Sequence, residues 1–141
     1  MRKTMLTLMT AATMLALTGG IALAAVLEGN NGDNRLFGTE RADEIRGFGG
    51  DDFIRSLGGG DTVTGGSGDD TIYGGDGRDR LFGGNGFDQI SAGDGNDYVS
   101  VIGDDSGDFV NCGPGKDSVD VMFGQPHGPK DVYKNCEIFA Q

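Results

Sequence analysis

Aspartates recur every nine residues through the middle of this chain, and each one ends a glycine-rich segment. The clearest units begin at Gly65, Gly74 and Gly83 and have the form Gly-Gly-x-Gly-x-Asp-x-aliphatic-x. No basic residue has a fixed place in this unit, so the carboxylate lies among backbone carbonyls without an ionic partner. A hard cation that prefers oxygen ligands fits such a site best. In the same phase, the sixth place holds Asp43, Asp52, Asp61, Asp70, Asp79, Asp88 and Asp97.

The residues that follow each aspartate predict a short strand. Between Gly29 and Ser100 the eighth place is always aliphatic, and this side chain points one way while its two neighbours point the other. Glycines at the first, second and fourth places allow positive φ and close backbone approach, so the six residues before the strand can turn tightly. The eighth-place residues are Leu36, Ile45, Ile54, Val63, Ile72, Leu81, Ile90 and Val99.

This nonapeptide resembles the calcium-binding repeat of the RTX, or hemolysin-type, family. The resemblance implies an all-β fold, a parallel β-roll (a two-sheet right-handed β-helix), in which Ca²⁺ lies between turns two units apart. It pairs Asp52 with Asp70, Asp61 with Asp79, Asp70 with Asp88, and Asp79 with Asp97. Carbonyls of the turns complete the metal shell, and the best candidates are Gly65, Gly66, Gly68, Gly74, Gly75, Gly77, Gly83, Gly84 and Gly86.

The first units depart from the family pattern, and one other fold competes with the roll. Asp43 with Asp61 is expected to form a weaker site, because Arg41 replaces the fourth-place glycine. Asn34 replaces the aspartate, so the first unit is expected to bind no calcium. The alternative is that the Asp-Gly pairs are turns between hairpin strands. Hairpins, however, give no reason for strands of three residues or for an aspartate every nine residues.

Charge and the N-terminal segment indicate where the protein works. The chain has 11 basic and 22 acidic residues, and its net charge of −11 argues against binding nucleic acid or anionic membranes. Residues 1–24 have the layout of a signal peptide: basic Arg2 and Lys3, the apolar run Leu6–Ile21, and a small-x-small cleavage site ending at Ala24. An uncleaved membrane anchor is the alternative. A cleaved signal predicts a secreted, extracellular protein.

The tail continues the repeats in degenerate form and carries both cysteines. After Ser100 two residues are inserted, and the pattern then resumes at Gly103 and Cys112. Phe123–Pro129 is expected to be a loop and Val132–Phe139 a last strand. In an exported protein, Cys112 and Cys136 predict a disulfide that staples this cap. The alternatives are free buried thiols, or zinc bound together with His127.

These features divide the chain into four segments: a signal peptide (1–24), an N-terminal cap with a degenerate first repeat (25–37), calcium-binding repeats (38–100), and degenerate repeats with a C-terminal cap (101–141). An enzyme is not expected, because no nucleophile accompanies a base motif and a solid roll offers no pocket.

Two functions remain for such a chain. The first is a secreted protein whose folding depends on extracellular calcium. The second is a cell-surface adhesion module that uses the calcium-rigidified roll as a scaffold for an unidentified partner. The seventh-place and ninth-place rows are not uniform in residue type, which argues against binding to ice or crystals, but Tyr73 and Phe82 could form a contact patch.

Overall fold

The computed structural model describes residues 24–101, 106–120 and 131–139. The predicted signal peptide, apart from Ala24, lies outside these residues, as do the predicted loop Phe123–Pro129 and His127. No helix that could span a bilayer occurs in the described part of the chain. The strands there are β1 (Val26–Asn30), β2 (Arg35–Phe37), β3 (Glu44–Gly49), β4 (Phe53–Gly59), β5 (Thr62–Ser67), β6 (Thr71–Gly77), β7 (Arg80–Asn85), β8 (Gln89–Gly95), β9 (Tyr98–Ser100), β10 (Phe109–Asn111), β11 (Ser118–Asp120), β12 (Val132–Lys134) and β13 (Glu137–Phe139).

Successive strands alternate between two parallel sheets. The odd-numbered strands form one sheet in chain order, here the odd sheet, and the even-numbered strands form the other, the even sheet. Each strand pairs with the strand two units away, so that Ile45 lies beside Val63 and Ile54 beside Ile72. Every strand pair among the described residues is parallel, which excludes the hairpin alternative. The predicted two-sheet β-roll is confirmed.

The core is the pair of aliphatic columns that the eighth-place residues form between the sheets. Ile45, Ile54, Val63, Ile72 and Leu81 have no exposed surface. Each unit of nine places only one large aliphatic side chain in the core, since the first-place residues that are also buried, such as Ser56 and Ala92, are small. Apolar burial therefore contributes little per residue compared with an ordinary globular core. The roll therefore needs a second source of stability.

The central strands are longer than the three residues expected from the repeat. Strands β4 and β6 each have seven residues, because their pairing continues through the glycines of the turn, with Leu57 beside Gly75 and Gly59 beside Gly77. The expectation was wrong because it treated the turn as a break in pairing. Stacked turns of the same shape keep their backbone amides and carbonyls aligned, so the ladder continues into them.

The C-terminal cap contains two strands where one was expected over Val132–Phe139. Asn135, at φ 54°, separates them, and β12 joins β10 in the even sheet while β13 joins β11 in the odd sheet. The disulfide between Cys112 and Cys136 is confirmed, with an S–S distance of 2.04 Å. It excludes both the free thiols and the zinc site. The bond ties the last strands to the preceding turn.

The predicted patch of Tyr73 and Phe82 does not form. Tyr73 belongs to β6 in the even sheet and its ring lies 5.7 Å from that of Phe53, whereas Phe82 belongs to β7 in the odd sheet and lies 6.0 Å from Tyr98. The prediction was wrong because residues nine apart alternate between the two sheets. Residues on one face are eighteen apart.

Candidate metal centre

The sixth-place aspartates form two columns, one at each edge where the chain crosses between the sheets. At the first edge the chain passes from the odd to the even sheet, and this column contains Asp52, Asp70 and Asp88. At the second edge it passes from the even to the odd sheet, and this column contains Asp43, Asp61, Asp79 and Asp97. All of these side chains are at most 4% exposed.

One oxygen of each carboxylate holds the stack together. The backbone amide of Asp52 donates to Oδ1 of Asp70 at 2.8 Å, and the amide of Asp61 donates to Oδ1 of Asp79 at 2.8 Å. The amides of Asp70 and Asp79 donate in the same way to Asp88 at 3.1 Å and Asp97 at 2.9 Å. The four pairs that the family resemblance implied are therefore direct neighbours in the structure. Their role as calcium ligands stays a prediction.

The other oxygen of these carboxylates is buried without a hydrogen bond. Within the described residues Oδ2 has no hydrogen-bond partner in Asp52, Asp61, Asp70, Asp79 and Asp97. Ser56, in the same unit as Asp61, donates its hydroxyl to the carbonyl of Gly74 at 2.5 Å. A buried carboxylate oxygen without a partner is costly, so its environment must supply a proton or a cation.

Burial is also the main influence on how these carboxylates ionise. It raises the pKa of Asp70 and of Asp79 to about 6, although the backbone hydrogen bond to Oδ1 acts in the opposite direction. Neighbouring carboxylates raise both values further, and Asp51 and Asp69 contribute at Asp70. Burial raises the pKa of Asp52, Asp61 and Asp97 as well. Near neutral pH the columns therefore hold stacked charges that favour a bound cation.

Backbone oxygens converge with the unpartnered carboxylate oxygens beside the first-place glycines. A Cβ on Gly65 would lie under 3.0 Å from both Asp70 Oδ2 and the carbonyl oxygen of Gly83. At Gly74, a Cβ would lie under 3.0 Å from both Asp79 Oδ2 and the carbonyl oxygen of Ala92. Only glycine leaves this space open. The atoms around it are oxygens, which suit calcium and do not suit zinc or copper.

Side chains alone do not complete a metal site in this fold. Among the described residues, no three histidine, cysteine, aspartate or glutamate side chains come close enough to hold an ion together. A cation bound at either edge must therefore draw on the backbone carbonyls of the turns. This combination of one carboxylate per turn with turn carbonyls is consistent with a hard ion of high coordination number.

Comparison with protein families agrees with this geometry. The sequence model of the RTX calcium-binding nonapeptide repeat matches residues 28–63, 56–90 and 73–105, with four copies of the repeat. These matches cover more than half of the chain. The chain belongs to the RTX calcium-binding nonapeptide repeat family. Comparisons with curated proteins and with solved structures give no match. The protein is thus a β-roll of the calcium-binding type.

The second-place and fourth-place glycines of the RTX turns are required by backbone geometry. All six have positive φ, and a Cβ at any of them would lie under 3.0 Å from a backbone atom of the stacked turn two units earlier in the chain. Their close packing brings the carbonyls of successive turns together. Their part in a calcium shell stays a prediction. The six are Gly66, Gly68, Gly75, Gly77, Gly84 and Gly86.

Asp43 differs from the later aspartates for a reason that the sequence did not suggest. Thr39 donates its backbone amide to Asp43 Oδ2 at 2.6 Å, and its hydroxyl donates to the same oxygen at 3.0 Å. The oxygen that is unpartnered elsewhere in the column is thus satisfied here. The weak site expected at Asp43 because of Arg41 stays a prediction, and the bonds from Thr39, in the second place of the unit, are a further reason to expect it.

Three further aspartates extend the columns beyond the predicted metal residues. The amides of Asp88 and Asp97 donate to Oδ1 of Asp108 and Asp117, each at 2.9 Å, and the amide of Asp108 donates to Asp131 at 2.9 Å. The signal was present in the sequence, because each of the three is followed two places later by Val110, Val119 or Tyr133 at the inward position. On either side of the insertions the register is kept, with Val110 beside Ile90 and beside Tyr133.

Proposed function

We propose that this protein is an exported calcium-binding β-roll whose folding depends on calcium held between stacked turns. The observation that carries the proposal is the column of buried Oδ2 atoms that lack a hydrogen-bond partner. Without a cation, neighbouring turns bring like charges together in a dry environment. A cation beside Asp61 and Asp79 would neutralise both and give their free oxygens a ligand.

The remaining properties of the chain support dependence on calcium. Its net charge is −11, and its core has one large aliphatic side chain per unit of nine. Sites of the extracellular type bind calcium at about 10⁻⁴–10⁻³ M. At about 1 mM calcium, a site with a dissociation constant of about 0.1 mM adds about 1.4 kcal/mol to the free energy of unfolding. Four such sites would contribute about 6 kcal/mol, which is comparable to the stability of a whole domain.

Export is supported by the N-terminal segment and by the disulfide. Arg2 and Lys3, followed by the apolar run Leu6–Ile21 and a small-x-small site ending at Ala24, have the layout of a signal peptide. The Cys112–Cys136 bond is of the kind that persists in oxidising compartments. Intact mass spectrometry of the exported protein should give a chain that begins at Ala25 and contains this bond. A retained 1–24 segment would contradict the proposal.

Circular dichroism tests the dependence on calcium. The chain from Ala25 onward should give a coil spectrum in EDTA at neutral pH and a β spectrum after addition of millimolar calcium. Magnesium is the matched control, because it demands a small octahedral shell and is reluctant to lose water. We expect magnesium at the same concentration to leave the chain largely unfolded. A complete β spectrum in EDTA at neutral pH would rule out calcium-dependent folding.

A second candidate function is an adhesion module that uses the rigid roll to present a surface. It is favoured by the large side chains that the even sheet exposes, among them Phe37 at 55% and Tyr73 at 43%. The ring of Phe53 lies between these two rings, and exposed aromatic residues that share one face are typical of contact surfaces.

A further inference from the structure

The two outward faces of the roll differ in charge. The seventh-place and ninth-place residues of the described strands point outward, and in the even sheet they include Arg35, Arg55 and Lys134 but no acidic residue. The outward positions of the odd sheet are acidic on balance, with Glu28, Glu44, Asp120 and Glu137 against Arg46 and Arg80. The outward strand positions of the even sheet are thus basic in a protein that is acidic as a whole.

The two arginines of the even sheet also lack salt-bridge partners among the described residues. In the odd sheet, Arg46 forms salt bridges with Glu28 at 3.2 Å and with Glu44. Among the described residues, neither Arg35 nor Arg55 has a carboxylate within salt-bridge distance, and both side chains are exposed. Their charges are therefore available to a ligand from outside.

Arginine and aromatic residues alternate on this face, so that each arginine has an aromatic residue beside it on the neighbouring strand. Arg35 lies beside Phe53 in the register of β2 and β4, and Arg55 lies between Phe37 and Tyr73 on the neighbouring strands. The rings form a continuous row, since Phe53 lies 6.0 Å from Phe37 and 5.7 Å from Tyr73. From strand geometry, Arg35 and Arg55 are about 8 Å apart. The face thus offers fixed positive charges separated by flat apolar rings.

A shallow groove crosses the face at Tyr73. It has a volume of about 250 Å³, enough for about one monosaccharide ring, and its walls include Arg55, Glu40, Asp76 and Ser91. The walls thus contain hydrogen-bond donors and acceptors beside an aromatic ring. Gly75 and Gly93 from the turns of the second edge also line it, so the groove exists only while those turns are stacked.

We propose that the even sheet binds an acidic polysaccharide whose sugars carry carboxylate groups. Arginine pairs with carboxylates through two parallel hydrogen bonds, and the aromatic rings provide apolar platforms for the faces of the sugar rings. Glu40 and Asp76 accept hydrogen bonds from neutral hydroxyl groups. Because the face needs a folded roll, this proposal rests on the proposed calcium-dependent folding.

Charge complementarity favours this ligand over two other polyanions. Nucleic acid and anionic lipid surfaces present dense arrays of phosphates, which the net charge of −11 repels. A polysaccharide carries its charges singly, with hydroxyl-rich rings between them. Such a chain can contact the basic face without approaching the acidic edges.

Calorimetry with a galacturonate trisaccharide in millimolar calcium tests the proposal, with the methyl ester of the same trisaccharide as the uncharged control. The double variant Arg55→Gln with Tyr73→Ser should bind the acid at least about tenfold more weakly, because it removes the guanidinium that pairs with a carboxylate and the aromatic ring that packs against a sugar. The matched variant, Arg80→Gln with Phe82→Ser, changes the same types of group on the odd sheet and should stay within about twofold. The methyl ester should bind the unchanged protein at least about tenfold more weakly than the acid.

Circular dichroism of the same samples reports folding separately from binding. A β spectrum that does not need calcium would contradict the proposed folding mechanism, while the comparison of the two double variants would still decide the ligand. Absence of trisaccharide binding by the folded protein would overturn the proposal. Equal losses of affinity for the trisaccharide in both double variants would overturn the proposal as well. Binding of phosphatidylserine vesicles without binding of the trisaccharide would assign the face to a lipid surface instead.

Discussion

The two oxygens of a sixth-place aspartate have different tasks. Oδ1 of Asp79 accepts the amide of Asp61, which connects one turn to the next, while Oδ2 is buried without a hydrogen bond. The carboxylate is therefore both part of the backbone ladder and a candidate metal ligand. Asparagine can serve the first task but lacks the charge for the second. Substitution by asparagine thus separates metal binding from stacking.

Asp79 is expected to matter more than Asp43 for calcium binding. Asp79 lies between Asp61 and Asp97, so it borders two candidate sites, whereas Asp43 borders one and its Oδ2 is already bonded to Thr39. Asp79→Asn should remove about two bound calcium ions and lower the free energy of unfolding at millimolar calcium by about 3 kcal/mol. Asp43→Asn should remove one weakly bound ion at most. Calcium titrations that follow stoichiometry and the folding midpoint measure both variants.

The comparison also tests the arrangement of the sites. If Asp79→Asn loses no more calcium than Asp43→Asn, ions are not shared between turns two units apart. Circular dichroism of Asp79→Asn at saturating calcium shows that the rest of the roll is still folded, since its Oδ1 can keep the bond from Asp61.

Lowering the pH should stabilise the metal-free protein but weaken its affinity for calcium. The pKa of Asp79 is about 6 in the folded protein and 3.8 in the unfolded chain, because burial favours the protonated form. Between these values the folded state binds more protons, so the free energy of unfolding in EDTA falls as the pH rises through this window. We expect the metal-free roll to be most stable below about pH 4 and least stable above about pH 6. Calcium affinity should instead weaken below about pH 6, where protons compete for the same oxygens.

Thermal unfolding in EDTA and in calcium across this pH range measures both effects. A metal-free protein that becomes more stable between pH 4 and pH 7 would contradict the assigned role of the buried carboxylates. Asp79→Asn should reduce the dependence in EDTA, because its side chain does not titrate.

At the scale of the element, the turn is shaped by its neighbours as much as by its own residues. In the units from Gly65 to Ser100 the second place holds glycine at positive φ, but Phe48 (φ 80°) and Leu57 (φ 81°) adopt the same conformation in earlier units. A left-handed conformation costs such residues roughly 1–2 kcal/mol. The stacked turns impose it nevertheless, because their hydrogen-bonded ladder is continuous. The unit is therefore tolerant of one replaced glycine where the new side chain can point to solvent.

Gly75 should not tolerate replacement, in contrast to Gly49. Gly75 has φ 109°, and a Cβ there would collide with the backbone carbonyl of Leu57. Gly49 has ordinary backbone geometry, and its Cβ would be 3.6 Å from the nearest atom. Gly75→Ala should lower the free energy of unfolding by about 2 kcal/mol or more in calcium, and Gly49→Ala should change it by less than about 1 kcal/mol. Urea unfolding in calcium measures both variants. Similar decreases in the free energy of unfolding would show that stacking of the turns does not depend on Gly75.

For the whole molecule, stability is distributed along the axis because each turn contacts only its neighbours. The N-terminal end has Leu27 and Leu36 only partly buried, whereas the C-terminal end is tied by the Cys112–Cys136 bond. Cys112 itself is fully buried in the core. The bond replaces, at that end, the stabilising contacts that a further turn would supply.

Removal of the disulfide should loosen the C-terminal end alone. The double variant Cys112→Ala with Cys136→Ala loses a constraint worth roughly 3–4 kcal/mol by loop entropy. Hydrogen exchange in calcium should then become faster in β12 and β13, while exchange in β4–β7 stays unchanged. Uniformly faster exchange along the whole roll would show instead that the roll unfolds as one cooperative unit.

The repeat, through its resemblance to a known family, was enough to predict the two-sheet roll and which aspartates are neighbours, because in a solenoid each unit meets only the units one and two places away. The pair of cysteines was enough to predict the disulfide. The sequence could not show which outward residues share a face, and so Tyr73 and Phe82 were wrongly grouped. Nor could it show that Thr39 satisfies Asp43. These features depend on how the chain crosses between the sheets and on which backbone amides align after it has crossed. Only the stacked structure decides that alignment.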